Sequence, residues 1–151
     1  MITEEFLESK LVFRPKTRQA DLAKHVDHLE WIHMHCFPSD DRPDWSVGTW
    51  WITWDNKKPV AFIGIEPVKS WKEAVYISRV GVVKEHRGKG IQAFLMSKVV
   101  RASAGFFDYM ISSTYENPAS ANSFIKCGFK TYLPEVPWGA AGTIYWSKEI
   151  K

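Results

Sequence analysis

The residues best suited to chemistry run from Val80 to Gln92, in the order Val80, Gly81, Val82, Val83, Lys84, Glu85, His86, Arg87, Gly88, Lys89, Gly90, Ile91, Gln92. They read as a strand, a short loop with two glycines and the first turn of a helix. Such a loop can hold an anion. The first N–H groups of a helix have no partner within it, and the helix dipole places partial positive charge there. Glycine lets the main chain approach a ligand closely, and Arg87 and Lys89 add two full charges. A phosphate or pyrophosphate is the ligand group this chemistry suits. The stretch is not a Walker loop, which needs G-x-x-x-x-G-K-S/T, because no Lys-Ser/Thr follows Gly90. It fits a dinucleotide fingerprint poorly. Ala93 at the third glycine position is a tolerated substitute, but Asp108, near the right distance, precedes its strand instead of ending it.

The loop resembles motif A of the GNAT superfamily of N-acetyltransferases, a strand followed by Q/R-x-x-G-x-G/A and a helix. Arg87 to Gln92 match it at five of six positions, with Gln92 where Gly or Ala is usual. A second block, Asn117 to Phe129, is similar to the family's N-x-x-A/S-x-x-x-Y/F-x-K-x-G-F. The resemblance implies the GNAT fold, α/β with a mixed central sheet of about six to seven strands and helices on both faces. It also implies acetyl-CoA as co-substrate. Arg87, Gly88, Lys89, Gly90, Ile91 and Gln92 would hold its diphosphate. Val82 and Val83 would offer main-chain groups to the pantetheine arm, with the N–H of Val82 or its neighbour as oxyanion donor. Asn117 would touch the cofactor or simply cap its helix. Ser120 would reach the pantetheine or merely sit on the helix's first turn. In the family the strands on either side of the arm splay apart. Gly81 would suit such a break as a bulge, or else allow close packing against the helix that follows.

Acetyl transfer from a thioester to an amine needs a held thioester, a deprotonated amine, an oxyanion donor and an acid for the leaving thiolate. Many family members carry that acid as a Tyr seven residues after the Asn. Here the position is Phe124, which has no proton to give and could only pack against the thioester. Tyr115 and Ser123 are the nearest substitutes in sequence. Glu116, Asp40, Asp41, Asp44 and His35 are the candidate bases, each an ordinary group unless its pKa is shifted. The acceptor site would be built from the loop Pro38 to Trp45, the strand Thr49 to Trp54 and the loop Pro134 to Gly142. Trp45, Trp50 and Trp138, with Asp40, Asp41 and Asp44, would suit a cationic amine. The same residues also read as core, a subunit interface or a solvated turn. The readings carried forward are an N-acetyltransferase acting on a small-molecule or protein amine by direct attack, a non-catalytic acyl-CoA-binding module, and an enzyme modifying a nucleic-acid base or tRNA.

Composition narrows these classes. A chain of 151 residues with 45% hydrophobic and 25% charged residues reads as one ordinary globular domain. The net charge of +3 suits an anionic ligand and argues against nucleic acid. Eight Trp imply large aromatic contacts in the core, at a homodimer surface or around a site. Cys36 and Cys127 form no metal or redox motif, so two reduced thiols in a cytoplasmic protein are expected. Met1 to Lys10 carries three acids and no apolar run, unlike a signal peptide, and no segment is apolar enough to span a membrane. His25, His28, His33, His35 and Cys36 crowd one region. On a helix only His25 and His28 stand close enough to share an ion, so no metal is expected.

The elements that must position these residues follow from periodicity and punctuation. Leu11 to Arg14 reads as a strand ended by Pro15, with Thr17 capping a helix that buries Leu22, Val26, Leu29 and Ile32 or His33. Thr49 to Trp54, Val60 to Ile65 (stopped by Pro67) and Ala74 to Val83 read as strands, with a turn from Asp55 to Pro59. A helix is expected over Ile91 to Ala104, its apolar face formed by Ile91, Leu95, Val99, Ala102 and Phe106, with Gly105 at its end. Then come a strand from Tyr109 to Tyr115, a helix capped by Asn117 and stopped at Gly128, and strands over Phe129 to Leu133 and Thr143 to Lys148. The strands either side of the helix from Ile91 should run parallel.

Overall fold

The computed structural model describes residues 16–151. The strand expected at Leu11 to Arg14 lies outside them. The elements are β1 (Lys16–Gln19), α1 (Leu22–Cys36), β2 (Thr49–Asp55), β3 (Lys58–Val68), β4 (Trp71–Val82), α2 (Ile91–Ser103), β5 (Tyr109–Thr114), α3 (Pro118–Lys126), β6 (Lys130–Thr131) and β7 (Ile144–Glu149). The seven strands form one sheet in the order β1-β2-β3-β4-β5-β7-β6. Only β4 and β5 pair in parallel, and every other neighbouring pair is antiparallel. This is the mixed α/β sheet expected from the sequence. No helix among the described residues is long and apolar enough to cross a membrane.

Two apolar clusters, one on each face of the sheet, hold the helices. Leu29 and Ile32 of α1 pack with Trp45, Trp50, Ile52, Phe62 and Val83. Ile91, Leu95, Met96 and Val99 of α2 and Phe124 of α3 pack with Ile63, Val75, Ile77, Met110 and Trp146. The strands alternate between these faces because successive side chains point to opposite sides. Trp50 and Trp45 belong to the core: the Trp50 indole donates to the Trp45 and Val47 carbonyls at 3.1 and 3.2 Å, and its ring fills the space above Gly64.

Several boundaries differ from expectation. Thr17 caps no helix. It lies in β1, where its hydroxyl shares a 3.0 Å hydrogen bond with Thr53 of β2. Asp21 caps α1 instead, its carboxylate accepting from the Ala23 N–H at 3.0 Å, and its own N–H donates to His25 Nδ1 at 2.9 Å. Pro67 does not stop β3, which continues to Val68 because a register shift there spares the missing N–H. The turn after β2 is shorter than expected, with Asn56 left-handed at φ 56° and Lys58 and Pro59 already in β3. The apolar face of α2 ends early: Ser103 is buried, whereas Ala102 is exposed and Phe106 is 82% exposed beyond the helix end. β6 keeps only Lys130 and Thr131 of the expected five-residue strand.

Candidate functional site

The site begins where β4 and β5 part. Their parallel pairing covers Ala74 to Tyr76 and goes no further, and Ser112 Oγ donates to the Ile77 carbonyl at 2.9 Å just past its end. On the other edge of β4 the register with β3 shifts between Gly64 and Ile65, leaving Ser78 as the extra residue. Such a bulge sharpens the local twist and turns the remainder of β4 away from β5. The bulge is therefore at Ser78, not at Gly81. Gly81 instead allows close approach of α1 and β3. A Cβ there would stand 2.9 Å from the Phe62 ring and 3.0 Å from Cys36 Sγ. The packing partner is the preceding helix and not the following one, a correction to the sequence reading.

A cleft of about 630 Å³ occupies the gap. Val80, Gly81 and Val82 form its floor. Arg87, Gly88, Gly90, Ile91 and Gln92 form one wall, Asn117, Ser120, Asn122, Ser123 and Lys126 the other, and Cys36, Phe37 and His86 close one side. The N–H of Val83 donates to the Val60 carbonyl at 2.9 Å, which makes that pair a hydrogen-bonded one. Antiparallel pairs alternate, so the N–H of Val82 points away from β3, toward the gap. The Val82 carbonyl accepts from Arg87 Nε at 2.9 Å, which folds the arginine over the end of the strand.

A single turn of 3-10 helix, Lys84–His86, leads from β4 into the glycine loop, which runs directly into α2. His86 Nε2 donates to Asp55 Oδ2 at 3.0 Å and so ties that turn to the end of β2. Gly88 and Gly90 are both left-handed, at φ 76° and 82°. A Cβ on either would meet no atom within 4 Å, so packing does not demand these glycines, and the space above them is open. Among the described residues no side chain caps α2, whose first helical bond runs from the Phe94 N–H to the Gly90 carbonyl at 3.1 Å. The N–H groups of Ile91, Gln92 and Ala93 therefore have no partner within the helix. Open space, unpaired donors and the positive end of a 13-residue helix together suit a phosphate-bearing ligand.

The opposite wall is the start of α3. The chain enters it through Glu116, a non-glycine residue held at φ 49°. Asn117 Oδ1 accepts from the Ser120 N–H at 3.1 Å, so the cap is made, and the residue also lines the cleft. Ser120, 8% exposed, accepts a 2.8 Å hydrogen bond from Gln92 Nε2, which joins the two walls. Ser123 faces the cleft with its hydroxyl donating to the Ala119 carbonyl at 3.3 Å.

Not every residue singled out in the sequence reaches the cleft. Phe124 is 1% exposed and stacks on Trp146 with centroids 5.6 Å apart, so it is core and not a cleft wall. Val83 turns its side chain into the α1 cluster, and its N–H is committed to Val60. Lys89 and Tyr115 lie outside the lining, and Tyr115 stands beside Gly142 of the loop before β7. Of the candidate bases, Asp44 accepts from the Ser46 hydroxyl and N–H, which hold its pKa below the usual carboxylate range. His35 donates to the Trp31 carbonyl at 2.8 Å. Asp40 lines a second pocket, of about 490 Å³, with Asp27, Glu30, Trp31 and Arg42, and Phe37 is common to both pockets. Asp41 and Glu116 are exposed and line neither. Trp138 is half-exposed against Tyr76 and Tyr145. His25 and His28 pack on Trp54, and no group of three or more potential metal ligands occurs among the described residues.

The sequence reading missed Cys36, Phe37, His86, Asn122 and Lys126 as cleft residues. Cys36, the last residue of α1, was signalled only by Gly81, whose missing side chain makes room for it, and Phe37 follows it as the helix cap. Asn122 and Lys126 stood inside the second quoted block, one and two helical turns after Ala119 on the same face.

Comparison with known proteins agrees with the fold. The model of the Acetyltransferase (GNAT) family matches residues 15–129. No curated protein matches the sequence. Among solved structures, a Bacillus subtilis acetyltransferase in complex with CoA is 14% identical, with TM-score 0.71 over 89% of this chain and 98% of that one. A GNAT family acetyltransferase from Elizabethkingia anophelis with acetyl-CoA bound is 14% identical, with TM-score 0.72 over 89% and 97%. The ribosomal-protein-S18-alanine N-acetyltransferase of Escherichia coli is 11% identical, with TM-score 0.71 over 90% and 94%. At these identities the structural likeness speaks to fold alone.

Proposed function

The chain belongs to the acetyltransferase (GNAT) family, and from that premise we propose that it transfers an acetyl group from acetyl-CoA to an amine acceptor by direct attack in a ternary complex. The observation that carries this reading is the uncapped start of α2, with Gly88 and Gly90 facing open space, at the mouth of a cleft that opens where β4 and β5 part. The main-chain N–H groups at the start of α2 take the diphosphate. Arg87 adds charge, and its bond to the Val82 carbonyl keeps the loop against the strand end. The pantetheine arm runs along Val80 to Val82, with Asn117 on its other side and Ser120 toward the diphosphate. The Val82 N–H is the donor for the charge that develops on the thioester oxygen. The acceptor's nitrogen attacks the carbonyl carbon, the C–S bond breaks, and the thiolate takes a proton.

Among the described residues no side chain on the cleft wall carries a carboxylate or a phenol, and His86, which closes one side, has its Nε2 committed to Asp55. The amine therefore gives its proton to water, and the thiolate takes one from water. Isothermal titration with CoA, followed by thiol release from acetyl-CoA with a panel of small amines and peptide N-termini, tests the reading. CoA uptake with amine-dependent thiol release is expected. A second reading, a non-catalytic acyl-CoA-binding module, is favoured by Phe124, a residue without a hydroxyl whose ring is committed to Trp146 and Phe129. CoA uptake without stimulation by any amine would select it.

A further inference from the structure

Gln92 stands where the family usually has Gly or Ala, and its side chain is not idle. Its Nε2 donates to Ser120 Oγ at 2.8 Å, joining the first turn of α2 to the first turn of α3 across the cleft that both residues line. An amide nitrogen can only donate, so the serine oxygen must accept, and its own proton is left for another acceptor. Ser123, one turn on, gives its proton to the helix carbonyl four residues back, that of Ala119. Ser120 has no such outlet. It is the third residue of α3, and four residues back lies Glu116, outside the helix in a left-handed turn. Its N–H is likewise taken, by Asn117 Oδ1. Ser120 as a residue is only 8% exposed, and it lies on the wall opposite the uncapped start of α2. The positive ends of two helices thus converge on one hydroxyl whose acceptor role is already filled.

We propose that Gln92 is a positioning residue that fixes Ser120 as an O–H donor to a phosphate oxygen of the diphosphate-bearing ligand. The inference rests on the CoA-binding reading above and adds to it how the unusual residue at position 92 works. Gln92 touches Ser120, and Ser120 touches the ligand. A smaller residue at position 92 would leave the hydroxyl free to rotate and to accept a hydrogen bond from solvent, which weakens its hold on an anion.

The test is a double-mutant cycle read by calorimetry with CoA, with pantetheine, which lacks the diphosphate, titrated by NMR as the control ligand. Gln92→Ala and Ser120→Ala should each weaken CoA binding by about three- to tenfold, the range of one hydrogen bond. The double variant should lose no more than the weaker single variant, since the two act as one unit. Pantetheine binding should not change. Gln92→Glu, which keeps the size but cannot donate when ionised, should lose at least as much as Gln92→Ala. Circular dichroism of all four variants should match the parent. Tighter CoA binding by Gln92→Ala would mean that the side chain obstructs the ligand. Additive losses would mean that the two residues act apart, and an equal loss for pantetheine would place the contact away from the diphosphate. Any of these overturns the proposal while CoA binding stands. A parent protein that takes up no CoA overturns both.

Discussion

A single methyl group at position 90 separates a loop shaped for the fold from one shaped for a ligand. Gly90 is left-handed at φ 82° and a Cβ would touch nothing. Gly90→Ala therefore meets only the backbone cost of that conformation, about 1–2 kcal/mol. The variant should melt a few degrees lower yet stay folded, while calorimetry shows CoA affinity reduced more than tenfold, because the methyl group stands where a phosphate must approach. Arg87→Glu should act similarly from the side chain. Losing the bond to the Val82 carbonyl costs about 1 kcal/mol, and the reversed charge should cut CoA affinity at least tenfold. Loss of the circular-dichroism signal at 25 °C would assign the arginine to the fold instead. Cys36, on the side that closes the cleft, offers a third probe. Burial pushes its thiol up to about 11, against the opposing effect of the Arg87 guanidinium beside it. A thiol that stays protonated is a poor nucleophile. Iodoacetamide at pH 8 should label it slowly, and more slowly still with CoA present. Rapid labelling unaffected by CoA would put Cys36 outside the ligand's path.

At the scale of elements, the join between α1 and β4 decides how the floor of the cleft is held. Arg79 of β4 donates to His33 Nε2 at 2.7 Å, lies 3.6 Å from Asp40, and rests on the Phe37 ring 5.1 Å away. Since the guanidinium has no acceptor, His33 must be neutral, with its proton on Nδ1. Burial, then the Arg79 and Arg42 charges, lower its pKa, and Asp40 opposes them in part. The folded value is thus below the unfolded one. As pH falls, the unfolded chain takes the proton first, so the contribution is whole above about 6.5 and is lost as pH drops from there toward the folded value. Melting temperature should fall between pH 7.5 and 5.5, and His33→Gln, which keeps an acceptor for Arg79 but cannot titrate, should flatten that slope. An unchanged slope would mean that other groups set it. The periodicity of α1 already marked a face of Leu22, Val26, Leu29 and Ile32 or His33, of which Leu29, Ile32 and His33 are buried, and alternation marked β2, because those signals are local. What sequence could not supply were facts set by neighbours. Thr17 reads as a cap until β2 is beside it, Pro67 reads as a stop until a register shift accommodates it, and Phe106 continues the spacing of α2 after the helix has ended.

For the whole molecule, the site is a gap between parts of one sheet, and that explains which of its residues were legible. The loop from Arg87 to Gln92 and the start of α3 could be read because each is a short contiguous segment whose residue types state its chemistry. Cys36, Phe37 and His86 could not, since they reach the cleft only through the packing of α1 on β4 and the tie from the loop to β2. Among the described residues the same assembly leaves the wall of the cleft without carboxylate or phenol, and this has a kinetic consequence. With water as the base, as proposed above, an amine must enter already neutral, and only that fraction reacts. The logarithm of kcat/KM should rise with unit slope below the pKa of the acceptor itself and level off above it. Two acceptors whose own pKa values differ by about two units should then give profiles displaced by the same two units, since the break belongs to the substrate. Thiol release from acetyl-CoA between pH 6 and 10 measures this directly. A break that stays at one pH for both amines would belong to the protein. The second pocket, where Asp27, Glu30 and Asp40 gather beyond Phe37, would then be the place to look for the base, and Asp40→Asn should move that break if the carboxylate is responsible.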